Sequence, residues 1–194
     1  MKTLQLLKDN RSYRRFEPRP IEPDELATLI EAARLCGSAA NLQQLRFVPV
    51  CGEDCDRVFP CLRWAGYLPE WDGPVEGERP TGYMVILCPK TSEGKFLTGV
   101  DVGLAAQSML LTATDMGLGG CMFAGIDRET LMRELGLDAE AWSVALVIAL
   151  GEVRERVEIV PVIDGNIKYY RDTAGTHYVP KRSVSELTVY PKKK

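Results

Sequence analysis

Residues 100–117, VDVGLAAQSMLLTATDMG, constrain the fold more than any other part of the chain. This stretch predicts a helix that is small or apolar on most of its faces, so it belongs in a core or between subunits rather than on a wet surface. Asp101, Gln107, Ser108, Thr112, Thr114 and Asp115 make the segment too polar for the ~20 lipid-facing residues of a membrane span. Asp101 is expected to cap the helix and Gly117 to stop it.

The body around that helix is expected to be one domain spanning 1–194, a length that leaves no room for a separate nucleotide-binding module. Apolar residues make up 45% of the chain and charged ones 26%, the mix of a soluble globular protein rather than a disordered one. A net charge of −3 argues against general nucleic-acid binding, which depends on clustered Lys and Arg. The single histidine excludes an HExxH metalloprotease and a two-histidine zinc finger. MKTLQLLKDN has too short an apolar stretch for an export signal, so a reducing, cytoplasmic compartment is expected. The six cysteines then read as free thiols. The run from Cys51 through Cys55 to Cys61 matches no common zinc or iron–sulfur spacing, and no metal is expected.

Local signals place most of the elements. Residues 3–8 suggest a short helix. Pro23–Leu35 is predicted helical: Pro23 suits the first turn, Asp24 and Glu25 favour its positive end, and Leu26, Leu29, Ile30 and Ala33 form one stripe. Ser38 is expected to cap a short helix through Gln44. Phe47–Cys51, Tyr83–Cys88 and Gly120–Phe123 read as strands, and Ser143–Leu150 as a central strand buried on both faces. Asp127 is expected to cap a helix ending at Leu135, and the tail from Val153 to be extended. Residues 60–82, rich in Pro and Gly and carrying Trp64, Tyr67 and Trp71, read as an irregular segment that either lids a pocket or packs on the body. Helices and strands do not strictly alternate, so the fold class is α+β.

No G-x-S-x-G elbow, phosphate-loop motif or strand-borne G-x-G-x-x-G is present. Arg11-Ser12-Tyr13-Arg14 sets two guanidiniums around a hydroxyl, a donor set that suits a phosphate monoester or else a solvated basic turn. Lys181-Arg182 is a second basic cluster with the same two readings. In Gly37–Gln44, small residues allow a planar ligand to approach the backbone, and Asn41 and Gln43 offer both donors and acceptors. A helix start with exposed amides is the alternative. Gly117–Gly120 alone reads as a helix stop and tight turn. His177 reads as a surface or strand-end residue.

In this order RSYRRF, IEPDEL, SAANLQ, DVGLAAQSMLLTATDMGLGG and VPKRSVSEL resemble the FMN-dependent nitroreductase family over nearly the whole chain. The resemblance implies a central, mostly antiparallel sheet flanked by helices and a homodimer with the long helix at its interface. It implies two FMN sites there and ping-pong transfer of hydride from NAD(P)H to a nitroaromatic, quinone or other small electrophile. It assigns Arg11, Ser12 and Arg14 to phosphate and ribityl contacts, completed by Lys181 and Arg182. Ser38, Asn41 and Gln43 are expected to meet the flavin from the partner chain, and Leu118, Gly119 and Gly120 to lie near the isoalloxazine edge. Trp64, Tyr67 and Trp71 fall where substrate choice is usually made. The flavin carries the chemistry, so no catalytic side chain is implied. Family members that dehalogenate reductively, fragment the flavin, or bind it without turnover are the alternative. Gly151-Glu152-Val153 departs from the G-x-P of many members.

Overall fold

Two runs without a charged residue, 83–88 and 143–150, form the middle of the main sheet in the computed structural model, which describes residues 3–191. The elements in chain order are α1 (Thr3–Asp9), α2 (Pro23–Leu35), β1 (Arg46–Cys51), α3 (Cys55–Val58), β2 (Gly82–Pro89), α4 (Phe96–Asp115) and β3 (Leu118–Phe123). After these come α5 (Arg128–Glu134), β4 (Trp142–Glu152), β5 (Val157–Pro161), β6 (Tyr170–Arg171), β7 (His177–Lys181) and α6 (Val184–Leu187). The main sheet has the order β1-β2-β4-β3 and is antiparallel throughout. β2 and β4 are therefore covered on both sides, and alternate residues feed two cores. Met84, Ile86, Ile148 and Leu150 pack with α2 and α4, whereas Tyr83, Val85, Val147 and Ala149 pack with α3 and α5.

The tail forms a separate small sheet, β5-β7-β6, with β5 and β7 parallel. Its final short helix α6, with Ser183 and Glu186 in a reciprocal cap, was not expected from the sequence. Residues 10–17 run as an arm along the main sheet: the Tyr13 N–H donates to the Gly120 carbonyl at 3.0 Å and the Glu17 N–H to the Glu152 carbonyl at 2.8 Å.

Three local expectations need correction. α4 begins at Phe96, so Asp101 lies inside it and caps nothing there. Counted from Phe96, α4 is also long and apolar enough to cross a membrane by length and composition, because it gains Phe96 and Leu97. Its inner face nevertheless packs on α2 and the sheet through Val102, Ala105, Ala106, Met109, Leu110 and Ala113. The helix expected from Ser38 to Gln44 shrinks to a single 3-10 turn, Ala39–Asn41, because Ala40 leaves helical geometry at φ 49°. The outer face of α4 is uncovered: Phe96, Leu97, Val100 and Leu104 are 81, 58, 41 and 45% exposed.

Candidate functional site

The arm 10–17 brings Arg11, Ser12 and Arg14 to the edge of β3, where Ser12 bridges to Gly120. Arg11 donates from Nη2 to the Leu7 carbonyl at 2.7 Å, while its buried Nε has no hydrogen-bond partner among the described residues. Burial lowers the pKa of this guanidinium, the expected cost of a cation short of acceptors. Ser12 is exposed. Arg14 is buried, lies 4.9 Å over the ring of Tyr169 and donates to the Ser12 carbonyl at 3.3 Å. Its backbone N–H donates to the carboxylate of Glu155, which also takes a 3.0 Å hydrogen bond from Arg171 Nη2. Arg171 in turn covers Trp71 at 4.6 Å, and Tyr67 donates its N–H to the Tyr169 hydroxyl at 3.2 Å. The tail thus clasps both the arm and the aromatic segment.

His177 sits in that clasp. It begins β7, as a strand-end residue, but it is fully buried rather than on the surface. Burial, then the charges of Arg14 and Arg171, push its pKa down from 6.5 to about 4. Arg14 Nη1 lies 3.4 Å from Nε2, and a guanidinium can only donate. Nε2 is therefore the acceptor, the ring is neutral, and the proton is assigned to Nδ1, which has no partner among the described residues. The unfolded chain protonates this ring near 6.5 and the folded one resists until about 4. The stability gained by keeping it neutral is complete above pH 6.5 and is lost as the pH falls from there toward 4. The loss amounts to about 2–3 kcal/mol. Urea midpoints at pH 7 and pH 4.5 should fall further apart in the wild type than in His177→Gln. Equal differences would reject this account.

Ser38, Asn41 and Gln43 form a second group. Asp101, only 2% exposed, accepts from Ser38 Oγ at 3.1 Å and from the Ala39 N–H at 2.8 Å. Ser38 Oγ accepts from the Gln43 N–H at 3.1 Å, and Gln43 Nε2 donates to Asn41 Oδ1 at 3.0 Å. Ala40, Asn41 and Gln43 have φ of 49, 54 and 47°, left-handed geometry that costs non-glycine residues about 1–2 kcal/mol each. The turn exposes Ala40, Asn41, Leu42 and Gln43 to solvent. Behind it lies a pocket of about 240 Å³ walled by α2, α4 and β1 residues including Ile30, Phe47 and Ala105.

One chain does not unite the two groups. The arm meets β3 at Gly120, which lies against Leu110, and the turn is held by Asp101. Those two α4 residues are nine positions apart, about 14 Å along the axis and on opposite sides of the helix. Leu118, Gly119 and Gly120 are buried in β3, and their surroundings are protein: Tyr13 and Val153 crowd Gly119, and Leu110 and the Ala149 carbonyl crowd Gly120. Lys181 and Arg182 follow at the end of β7. Lys181 is exposed without an ion pair among the described residues, and Arg182 reaches Glu186 at 3.6 Å. Trp64 is half-buried edge-on to Phe123 at 4.6 Å and to Trp71 at 6.1 Å, which leaves Tyr67, 47% exposed, as the outward member of the aromatic set.

The model of the nitroreductase family matches residues 7–63 and 75–152. The chain belongs to the nitroreductase family. It is 25% identical over 174 residues to an NADPH-flavin oxidoreductase of Vibrio harveyi, covering 85% of this chain and 71% of that protein. It is 26% identical over 178 residues to a CLA biosynthesis enone reductase of Lactiplantibacillus plantarum, covering 74% of this chain and 82% of that protein. Among solved structures, an FMN complex of a nitroreductase-type protein from Desulfovibrio desulfuricans superposes with a TM-score of 0.71 at 22% identity, covering 100% of this chain and 99% of that one. A family protein from Clostridium difficile 630 gives 0.69 at 16% identity with both chains fully covered.

The family match skips 64–74 and stops at 152, so Trp64, Tyr67 and Trp71 and the clasping tail lie outside it. These are the parts where sequence reasoning missed residues. Glu155, Tyr169 and Arg171 carry no motif, and they meet the arm only because the tail folds back. Asp101 did carry a signal, a lone acid at a helical position between the apolar Val100 and Val102 and in line with Ala105, which requires a polar partner when buried.

Proposed function

We propose that this nitroreductase family member is an FMN-dependent oxidoreductase that takes hydride from NAD(P)H and passes it to a small electrophile, working as a homodimer whose sites lie between the two chains. The observation that carries the dimeric site is the pairing of two separated donor groups with an uncovered apolar stripe on α4. A stripe of Phe96, Val100 and Leu104 at helical spacing marks an association surface. Packing a second copy on it offers one chain's turn to the other chain's arm.

The residues fit a flavin mononucleotide. Arg11, whose Nε has no partner among the described residues, and the exposed Ser12 hydroxyl supply donors for the phosphate, with Lys181 and Arg182 as further cations. Arg14 donates to the Ser12 carbonyl and so fixes that hydroxyl's backbone. The partner's turn, through Ser38, Asn41 and Gln43, supplies amide and hydroxyl groups for a heteroaromatic edge. Bound FMN would supply hydride acceptance and donation, leaving the protein to orient, stack and exclude water. The names of the two curated relatives support flavins and activated alkenes, beside nitroaromatics and quinones, as acceptors to test.

Arg11→Ala is expected to weaken FMN by about 2–3 kcal/mol, the scale of removing a charge-assisted hydrogen bond from a partly desolvated site. Flavin titration of the apoprotein reads this directly, and unchanged affinity would remove the assignment. The function is tested by anaerobic spectra of the FMN-loaded protein with NADH and then NADPH, followed by acceptor screening. Bleaching and re-oxidation by an acceptor support the reading. Tight FMN without bleaching favours a storage or regulatory role, and sedimentation as a monomer with FMN bound would contradict the shared site.

A further inference from the structure

We propose that Asp101 is the positioning residue of the ligand-facing turn 38–43, holding Ala40, Asn41 and Gln43 in a left-handed conformation that they would otherwise leave. The inference concerns this chain's own backbone and deepens the proposed flavin site, on which its ligand consequence rests. Ala40, Asn41 and Gln43 all have positive φ, and none is glycine. Such a turn persists only where its surroundings over-determine it. Its surroundings are supplied by α4. Both carboxylate oxygens of Asp101 are engaged, one by Ser38 Oγ at 3.1 Å and one by the Ala39 N–H at 2.8 Å. Ser38 Oγ relays the hold by accepting from the Gln43 N–H at 3.1 Å. Just past the turn, Gln44 Nε2 donates to Thr98 Oγ1 at 3.3 Å and Gln44 Oε1 accepts from Ser92 Oγ at 3.0 Å. Thr98 and Asp101 lie three residues apart on one face of α4, both buried, so a single helix face grips the turn at each end. A carboxylate suits this position because it offers two acceptors and no donor, matching the two donors aimed at it.

α4 also carries Val100 and Leu104 on its outer stripe, one and three residues from Asp101. A partner seated on that stripe therefore meets Asn41 and Gln43 at a position fixed by the same helix.

The test compares wild type, Asp101→Asn, and Asp101→Asn combined with Ala40→Gly. The amide of asparagine can keep only one of the two accepted hydrogen bonds, while glycine at 40 adopts positive φ without a Cβ penalty. Amide hydrogen exchange of the cofactor-free protein reads the turn without reference to any ligand. Peptides covering 38–44 should exchange at least tenfold faster in Asp101→Asn, with exchange elsewhere in α4 and the sheet unchanged, and the added glycine should restore part of the protection. Flavin titration should show FMN weakened at least tenfold in Asp101→Asn with partial rescue by Ala40→Gly, and a shifted absorption band for the flavin still bound. Unchanged exchange in 38–44 overturns the proposal whatever the flavin does. If exchange rises as stated but no protein in the series binds FMN, the positioning role stands and the flavin reading fails. Uniformly faster exchange with no rescue by glycine would assign Asp101 to general stability and reject the positioning role.

Discussion

Glu155→Ala is expected to destabilise this protein by about 3–5 kcal/mol, because removing one member of a buried ion pair strands the other without a partner. The Glu155 side chain is 1% exposed and that of its partner Arg171 13%. Glu155 accepts from Arg171 on one oxygen and from the backbone N–H of Arg14 on the other. Burial already lowers the Arg171 pKa, with Glu155 the main charge opposing that shift. Removing the carboxylate therefore strands a cation and a backbone donor together. Glu155→Gln keeps the shape and one acceptor and should lose less. Urea unfolding of the three proteins measures the effect, and a loss below about 1 kcal/mol for alanine would show that the pair is solvated in solution. The loss should be local before it is global: β6, β7 and the arm should gain protease sensitivity before the main sheet does, because Glu155 joins the tail to the arm.

The same ion pair shows where sequence reasoning ended. α2 was legible to the residue because its signals are local: a proline, two acids and a four-residue stripe inside 13 positions. β2 and β4 were legible because burial on both faces demands continuous apolar runs. The fold class and antiparallel core followed from these and from the family resemblance. The start of α4 was not legible, since Lys95 offers no side-chain cap and Asp101 looks like one. Its real partners, Ser38 and Ala39, lie more than sixty residues away. In the candidate site, Arg11 and Ser12 stood out as a short motif, and Ser38, Asn41 and Gln43 as a small-residue turn. The burial of His177 and Arg14 was hidden because it depends on residues 155–177 folding back over the arm. Nothing in the local sequence of that tail records the fold-back.

Gly120→Ala is the second large effect, and it separates two meanings of the GLGG segment. A Cβ on Gly120 would stand 2.7 Å from the Ala149 carbonyl oxygen, 2.7 Å from Leu110 Cδ2 and 3.1 Å from Leu150 Cδ2. Leucine methyls can turn aside, but the carbonyl belongs to β4, where Gly120 is paired with Leu150 and Cys121 with Ala149. Relief requires β3 to lift from β4 or α4 to retreat, and the expected cost is about 3 kcal/mol or more. Gly117→Ala is the control. It has open space around the new methyl and a φ of 81°, so it should cost only the left-handed penalty of about 1–2 kcal/mol. Thermal unfolding of the cofactor-free variants decides between the two meanings. A large loss for Gly120→Ala without any flavin present makes this glycine a packing requirement, imposed by β4 and α4 on the strand they both touch. A cofactor-free Gly120→Ala protein that melts like wild type but no longer takes up FMN would instead mean that the backbone is bare at this point for the ligand's approach.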